Sequence, residues 1–530
     1  MAGARAILGA LERRLMAPTD AASLAAFRAL VGALVLIGAL RFLTFGWVER
    51  FFVEPTFTFK YWGFEWLALP PPWAMVGIFV AMAAMAACLA LGLFTRLSAL
   101  GLFALFTAVE LLDVTNYLNH YYILSLLLFL MIFLPVGRTG SLDALRRPEI
   151  RRDTVSTWVV ALLRFQVGVV YVFAGLAKLG QDWLIHAQPL NIWLSARVDL
   201  PLIGPWLDLW SVALVMSWGG FLFDTTIPFW LLWRRTRPAA YVVLIAFHLT
   251  VGALFNIGMF PLIMICAATI FFDPSWPRRL ADRLRRAPRA EASDPSGAQS
   301  SEGEILRSSL AAKEAAASTA AEAAEVAAEE VAAEGAAAAA AAAAAEDDAA
   351  DAEGAATPEG ALRRAPAGRP KPWAVGALAI YCALQVIIPL RFVAYPGSVL
   401  WHEQGMRWSW RVMVREKNGS VMYRVHLPDS GRTTLVPPGR YLTDHQAREM
   451  SGQPDMILQL GHHIGQAFLD AGHSRVEVRV DAQVSLNGRP PALLVDPDVD
   501  LMTLKDGLAP AAWIMPGPTT PPIRLDRAAR

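Results

Sequence analysis

VSTWVVALLRFQVGVVYVFAGLAKL, residues 155–179, is an apolar run long enough to cross a bilayer, and it closes on a lysine, Lys178. A hydrocarbon core about 30 Å thick takes roughly 20 helical residues to span. An ionisable side chain at a membrane face is costly unless it has a partner or a task. Upstream, Asn119-His120-Tyr121-Tyr122 opens another apolar run. These two polar ends decide the class of fold and the place to look for chemistry.

Outward from them, about nine runs are long enough to span. They fall near 22–43, 74–94, 97–113, 120–136, 155–179, 206–233, 239–257, 258–273 and 373–390. The third and eighth are short, so they could be tilted or partly re-entrant. Orientation follows from the Lys/Arg bias of short loops. Arg138, Arg146, Arg147, Arg151 and Arg152 lie between the fourth and fifth runs, and Arg234, Arg235 and Arg237 between the sixth and seventh. Arg278, Arg279, Arg283, Arg285 and Arg286 follow the eighth, and Arg363, Arg364, Arg369 and Lys371 precede the ninth. A cytoplasmic N-terminus puts all four clusters inside. It puts Asn119, His120, Lys178 and the C-terminal region outside, as in a multi-pass protein of a cell inner membrane.

Composition agrees. The 530 residues are 55% hydrophobic and 18% charged, against about 25% charged in soluble domains. A net charge of +1 without a basic stripe excludes nucleic acid as a partner. Cys88, Cys266 and Cys382 fall in apolar runs and read as small core residues, without a disulfide framework or zinc site. His462-His463 has no second ligand cluster, so no metal is expected. Residues 3–16 form a short amphipathic lead-in with no evident cleavable signal.

Four segments result: a transmembrane catalytic domain over 1–280, an Ala/Glu-rich cytoplasmic linker over 281–371, a final span over 372–392, and an extracytoplasmic α+β domain over 393–530. The linker includes the pure alanine run 336–345 beside Glu346, Asp347 and Asp348, too weakly apolar to span. In the last segment, residues 420–427 and 476–486 alternate apolar and polar as half-buried strands do. Asn487-Gly488 supplies a type I′ turn leading into 492–495. Thr443 and Gln446 read as a capping box, and a second helix starts at Pro454 and stops before Gly472. The fold expected is therefore a polytopic all-α membrane domain of about nine helices, with a small α+β domain that could offer a strand edge or groove to a peptide.

Five stretches together resemble the vitamin K-dependent γ-carboxylase family and its bacterial members with an HTTM domain. Asp113-Val114-Thr115-Asn116-Tyr117-Leu118-Asn119-His120 is similar to the family's Asp-Lys-Thr…Asn-His element. Phe173-Ala174-Gly175-Leu176-Ala177-Lys178-Leu179…Asp182-Trp183 is similar to its catalytic-lysine element. Phe247-His248, with 254–260 and 273–278, forms a third. Trp401 to Val414, including Trp408-Ser409-Trp410, resembles the stretch assigned to the glutamyl substrate. His462-His463 and 496–500 resemble the bacterial members. Ala177 and Val114 stand where the family often has lysines, and the animal enzymes' disulfide has no counterpart.

The resemblance implies an enzyme using reduced vitamin K or menaquinol, O₂ and CO₂. The quinol is deprotonated and oxygenated to an epoxide, and that step drives removal of a glutamyl γ-proton before CO₂ adds. Lys178 would be the base for the quinol. A free lysine is protonated at neutral pH, so such a base needs apolar surroundings. The bland alternative is a lysine snorkelling from a helix end. His120 would contact the quinol oxygen, or is an interfacial histidine; Asn119 would share that role, or caps the helix. His248, inside a run, would touch the quinol or bond a neighbouring helix. The quinol pocket is expected at the outer ends of the fourth and fifth runs, with its tail in the lipid.

Trp401, Trp408 and Trp410 would dock a secreted glutamate-containing peptide, or seat the domain on the bilayer. Arg411 and Arg415 would hold a carboxylate, or form a solvated basic pair. Arg164 and Asp224 each lie about nine residues from the cytoplasmic end of their runs, at ~1.5 Å per residue, and are expected to pair and hold the two runs together. Asp113 could orient His120, and Glu110 could reach the interface. Two other classes stay open: a quinol-epoxidising monooxygenase without carboxylation, and a non-enzymatic transporter or scaffold.

Overall fold

The computed structural model describes residues 2–286 and 371–525. Most of the linker expected over 281–371 therefore lies outside the described residues. Among the described residues, seven helices are long and apolar enough to cross a membrane. They are α1 (Ala22–Thr44), α2 (Pro72–Leu91), α3 (Thr95–Leu112), α5 (Thr157–Leu176), α6 (Trp210–Leu232), α7 (Arg237–Leu254) and α10 (Pro372–Leu390). The run at 120–136 is α4 (Asn119–Phe133), whose 15 residues reach only ~22 Å. The run at 258–273 is α8 (Phe260–Ala268), which bends by 96° into α9 (Trp276–Arg286). Counting that bent pair as one span gives eight rather than nine.

Local chemistry sets the ends. Pro72 and Pro372 occupy first-turn positions, where the missing N–H costs nothing. Gly92, at φ 69°, closes α2. The helices associate as neighbours: α1 on α2, α3 on α4, α5 on α6, and α7 on α8. Leu163, Val167, Met131 and Ile263 lie in their shared core. Outward faces are apolar and exposed, as at Val215, Phe229 and Ile387, which suits a lipid environment.

Two short strands, β1 (Pro18–Asp20) and β2 (Thr154–Ser156), pair antiparallel at one end of the bundle. The C-terminal part holds β3 (Lys417–Leu427), β4 (Arg432–Val436), β5 (Glu477–Leu486) and β6 (Ala492–Leu493) in the order β4-β3-β5-β6, all antiparallel. Val425 faces Val478 and Tyr423 faces Val480, so the alternating apolar residues share one buried face. The helices α11 (Asp444–Met450) and α12 (Pro454–Asp470) lie with the sheet; α12 packs on β5, and Thr443 and Gln446 form the expected capping box. Asn487 (φ 51°) and Gly488 (φ 79°) make the expected turn, closed by the bond from Arg489 N–H to the Leu486 carbonyl. Pairing with β6 resumes only at Val484 and Ala492, because Pro490-Pro491 intervenes.

The two parts are tied together. Arg489 and Asn487 donate to Asp182 at 2.7 and 2.8 Å. Trp193 donates to Glu416 at 2.7 Å. Gln446 donates to Asp113 at 2.8 Å, and the same carboxylate accepts from the Thr115 N–H and hydroxyl. Asp113 therefore docks the C-terminal part and does not orient His120. Burial raises the Asp182 carboxyl, but the bonds from Arg489 and Asn487 outweigh that and hold it below the ordinary carboxylate range.

Candidate functional site

At Gly175, α5 passes close against α6. A Cβ there would stand 2.5 Å from Thr225 Cγ2 and 2.7 Å from Thr225 N. That contact levels Asp224 with the end of α5. The Lys178 side chain runs back along its own helix, donating to the Ala174 carbonyl at 3.2 Å and to Asp224 Oδ2 at 2.7 Å. A longer bond, 3.4 Å, reaches the Val412 carbonyl, and the Trp183 ring lies 5.1 Å away. Both charged side chains are buried.

The expected pair of Arg164 with Asp224 is thus replaced by Lys178 with Asp224. Arg164 donates instead to the carbonyls of Ile270, Phe271 and Phe272 at 2.9, 3.2 and 2.8 Å. Depth counted from helix ends misled because α5 and α6 do not end flush. The Gly175–Thr225 contact sets the register, far along α5 from Arg164.

Next to this pair lies a cavity of about 600 Å³. Leu34, Val35, Phe79, Met82 and Ile263 give it an apolar interior, and Arg41, Glu110, Asn119, His120 and Glu449 make it polar elsewhere. It is bounded by α1, α2, α3, α4, the start of α8 and α11. The pocket expected between the fourth and fifth runs thus keeps α4 but not α5. His120 is 7% exposed, packs on Tyr121 and Phe260, and makes no hydrogen bond to the described residues. Asn119 Oδ1 accepts from the Tyr117 hydroxyl at 3.1 Å, which accepts from Trp408 N–H at 2.8 Å. Glu110 lines the cavity and accepts from Ser125 at 2.5 Å, rather than reaching the interface.

Lys178 is not in the cavity wall; Val412 and Met413 are, and Val412 is the residue whose carbonyl meets the amine. His248 is also set back. It shares a 2.8 Å hydrogen bond with the Tyr171 hydroxyl and lies behind Phe260. That geometry forms the interhelical bond.

The residues expected to hold a peptide are buried or half-buried, each against other parts of the chain. Trp401 is 2% exposed and donates to the Met515 carbonyl. Trp408 stacks on Tyr61 and Trp410 on Tyr122, plugging the C-terminal part into the bundle. Arg411 lies 4.0 Å from the Phe392 ring, and burial pulls its guanidinium down to about 10. Arg415 pairs with buried Glu403, which Lys417 also meets. None of the five lines the cavity. In α12, His462 bonds the Leu501 carbonyl and His463 packs on Phe57. Arg41 and Glu449 line the cavity and escaped the sequence reading. For Arg41 a signal existed, a charge near the end of a long apolar helix; Glu449 gave none.

The bundle defines a class first: residues 16–276 match the HTTM domain. Residues 370–520 match the lumenal domain of vitamin K-dependent gamma-carboxylase. With both halves matched in order, the chain belongs to the vitamin K-dependent gamma-carboxylase family. No solved structure matches it.

Proposed function

We propose that the protein is a vitamin K- or menaquinol-dependent γ-glutamyl carboxylase of a cell membrane. The observation that carries this reading is a buried lysine–carboxylate pair, 2.7 Å apart, directly behind the wall of a cavity with an unpartnered histidine. The cavity suits an amphipathic ligand. A quinol ring fits beside His120 and Asn119, and its prenyl tail along Leu34, Val35, Phe79 and Met82 toward the lipid. Bound there, the reduced quinone supplies the hydroxyl to be deprotonated and, with O₂, the strong base needed to abstract a glutamyl γ-proton before CO₂ adds.

Lys178, once its own proton has left the pair, takes the quinol proton as general base when the segment carrying Val412 and Met413 draws back. Asp224 holds the amine in place and balances the charge it acquires. His120 donates to the quinol oxygen, and Asn119, fixed by Tyr117, orients the ring. His248 steadies α5 through Tyr171. Arg164 ties α5 to the α8 turn and has no part in the chemistry. The C-terminal part lies outside the cell, the arginine clusters inside, and the chain divides at 280, 371 and 392. Its protein substrate is a secreted glutamate-containing peptide.

Purified protein given reduced naphthoquinone, O₂ and labelled bicarbonate should form epoxide and label a glutamyl peptide. Lys178→Ala should abolish both while staying folded, and a small amine should return part of the rate. His120→Ala should lower epoxidation without amine rescue. Near wild-type epoxide formation in Lys178→Ala rules the mechanism out. Oxygenation without carboxylation has one observation in its favour, that Trp401, Trp408, Trp410, Arg411 and Arg415 are all committed elsewhere. Epoxide without label in the same assay selects it.

A further inference from the structure

The arginines expected to hold a carboxylate, Arg411 and Arg415, are engaged with Phe392 and Glu403, away from the cavity. Two other arginines line it, Arg41 and Arg50. Arg50 is exposed and lies over the Phe51 ring. Arg41 is half-buried near the end of α1, its guanidinium 5.2 Å from the Trp47 ring and 5.9 Å from Phe45. Among the described residues it forms no ion pair and no hydrogen bond. It lines the same cavity as His120 and Tyr121. The carboxylates that share the lining do not neutralise it. Glu110 is bonded to Ser125, and Glu449, on α11, makes no ion pair with it.

A half-buried guanidinium facing a mostly apolar cavity is costly unless an anion meets it. Its planar fork matches a carboxylate with two parallel bonds, which neither a neutral amide nor CO₂ provides. The two rings beside it restrict the directions in which the fork can turn.

We infer that Arg41 is the carboxylate anchor of this cavity, receiving the γ-carboxylate of a glutamyl side chain and holding it on the His120 side. The identity of that carboxylate rests on the γ-carboxylase reading; the existence of an anion subsite does not. Carboxylate recognition then rests on Arg41 of the membrane bundle rather than on Arg411 or Arg415.

The test uses the full chain in nanodiscs, with N-acetyl-glutamate methylamide, its neutral glutamine counterpart and sodium bicarbonate as calorimetric probes. Wild type should bind the glutamate probe at least tenfold more tightly than the glutamine probe. Arg41→Gln should erase that ratio, Arg41→Lys should keep part of it, and Arg50→Gln should keep it whole. Thermal unfolding checks that each variant is folded, and the wild-type ratio is informative even if Arg41→Gln is not. Equal affinity for the two probes in wild type overturns the anchor. So does an undiminished ratio in folded Arg41→Gln, or Arg41-dependent binding of bicarbonate alone. Failure of quinol oxygenation with an Arg41-dependent ratio intact removes the enzymatic reading and leaves the anchor standing.

Discussion

Removing Asp224 isolates a buried cation. In Asp224→Ala, the Lys178 amine keeps the Trp183 ring at 5.1 Å and the Ala174 and Val412 carbonyls at 3.2 and 3.4 Å, both long for a charged donor. Breaking a buried ion pair from one side costs about 3–5 kcal/mol, because the survivor stays desolvated without its counter-charge. Replacing both partners with apolar groups of similar size costs far less, and is often close to neutral. Asp224→Ala should therefore lose about 3–5 kcal/mol of unfolding free energy, and Lys178→Met/Asp224→Leu should recover most of it. Arg164→Ala should be additive with Asp224→Ala to within about 0.5 kcal/mol, as for sites that share no contact. The measurement is reversible unfolding in mixed micelles, run as two double-mutant cycles. Coupling of Asp224 to Arg164 instead of Lys178, or a single-mutant cost under about 1 kcal/mol, refutes the reasoning.

Gly175→Ala places a methyl group within 2.7 Å of the Thr225 backbone. It should cost about 1–3 kcal/mol by overpacking and, by parting α5 from α6, lower turnover more than a conservative core change does. The Asp182 carboxyl sits below its ordinary range in the folded protein, so its contribution is complete above the unfolded value of about 3.9 and is lost as pH falls through the folded one. Hydrogen exchange around 487–489 should accelerate below that pH, and Asp182→Asn should show the faster exchange at neutral pH with little further pH response. For topology, Asp282→Cys should be shielded from an impermeant thiol reagent in intact cells and Ser430→Cys should react, both positions being exposed; the opposite pattern inverts the orientation.

Where one local rule dominated, the sequence was readable. Apolar length located the helices, alternation located β3 and β5, and the capping box at Thr443 and the turn at Asn487-Gly488 formed as their chemistry requires. The elements that carry the Asn119-His120 and Lys178 motifs also stand where expected. The errors came wherever azimuth or register decided the outcome. Arg164, Asp224 and Lys178 all lie in or beside apolar runs, and only the Gly175 contact tells which two meet. Trp408 and Trp410 stack on Tyr61 and Tyr122, partners that composition does not reveal, since an aromatic residue reads alike whether its neighbour is a ligand or a helix end. Asp113 shares one stretch with His120 yet bonds Gln446, more than 300 positions away, a pairing no local pattern encodes.

The segment joining the two halves shows why the C-terminal part belongs to the site rather than beside it. Trp408, Trp410 and Met413 all adopt left-handed backbone, at φ 58°, 57° and 54°. For non-glycine residues that costs about 1–2 kcal/mol each. Burying the Trp410 ring, fully enclosed against Tyr122, removes some 150–250 Å² from water and contributes roughly 4–6 kcal/mol, enough to hold the strained backbone in place. What that geometry achieves is local. It carries the Val412 carbonyl to the Lys178 amine and turns Val412 and Met413 into the cavity wall. His445 and Glu449, from α11, line the same space. A change in the C-terminal part that shifts 408–413 therefore acts on Lys178 and on the cavity together.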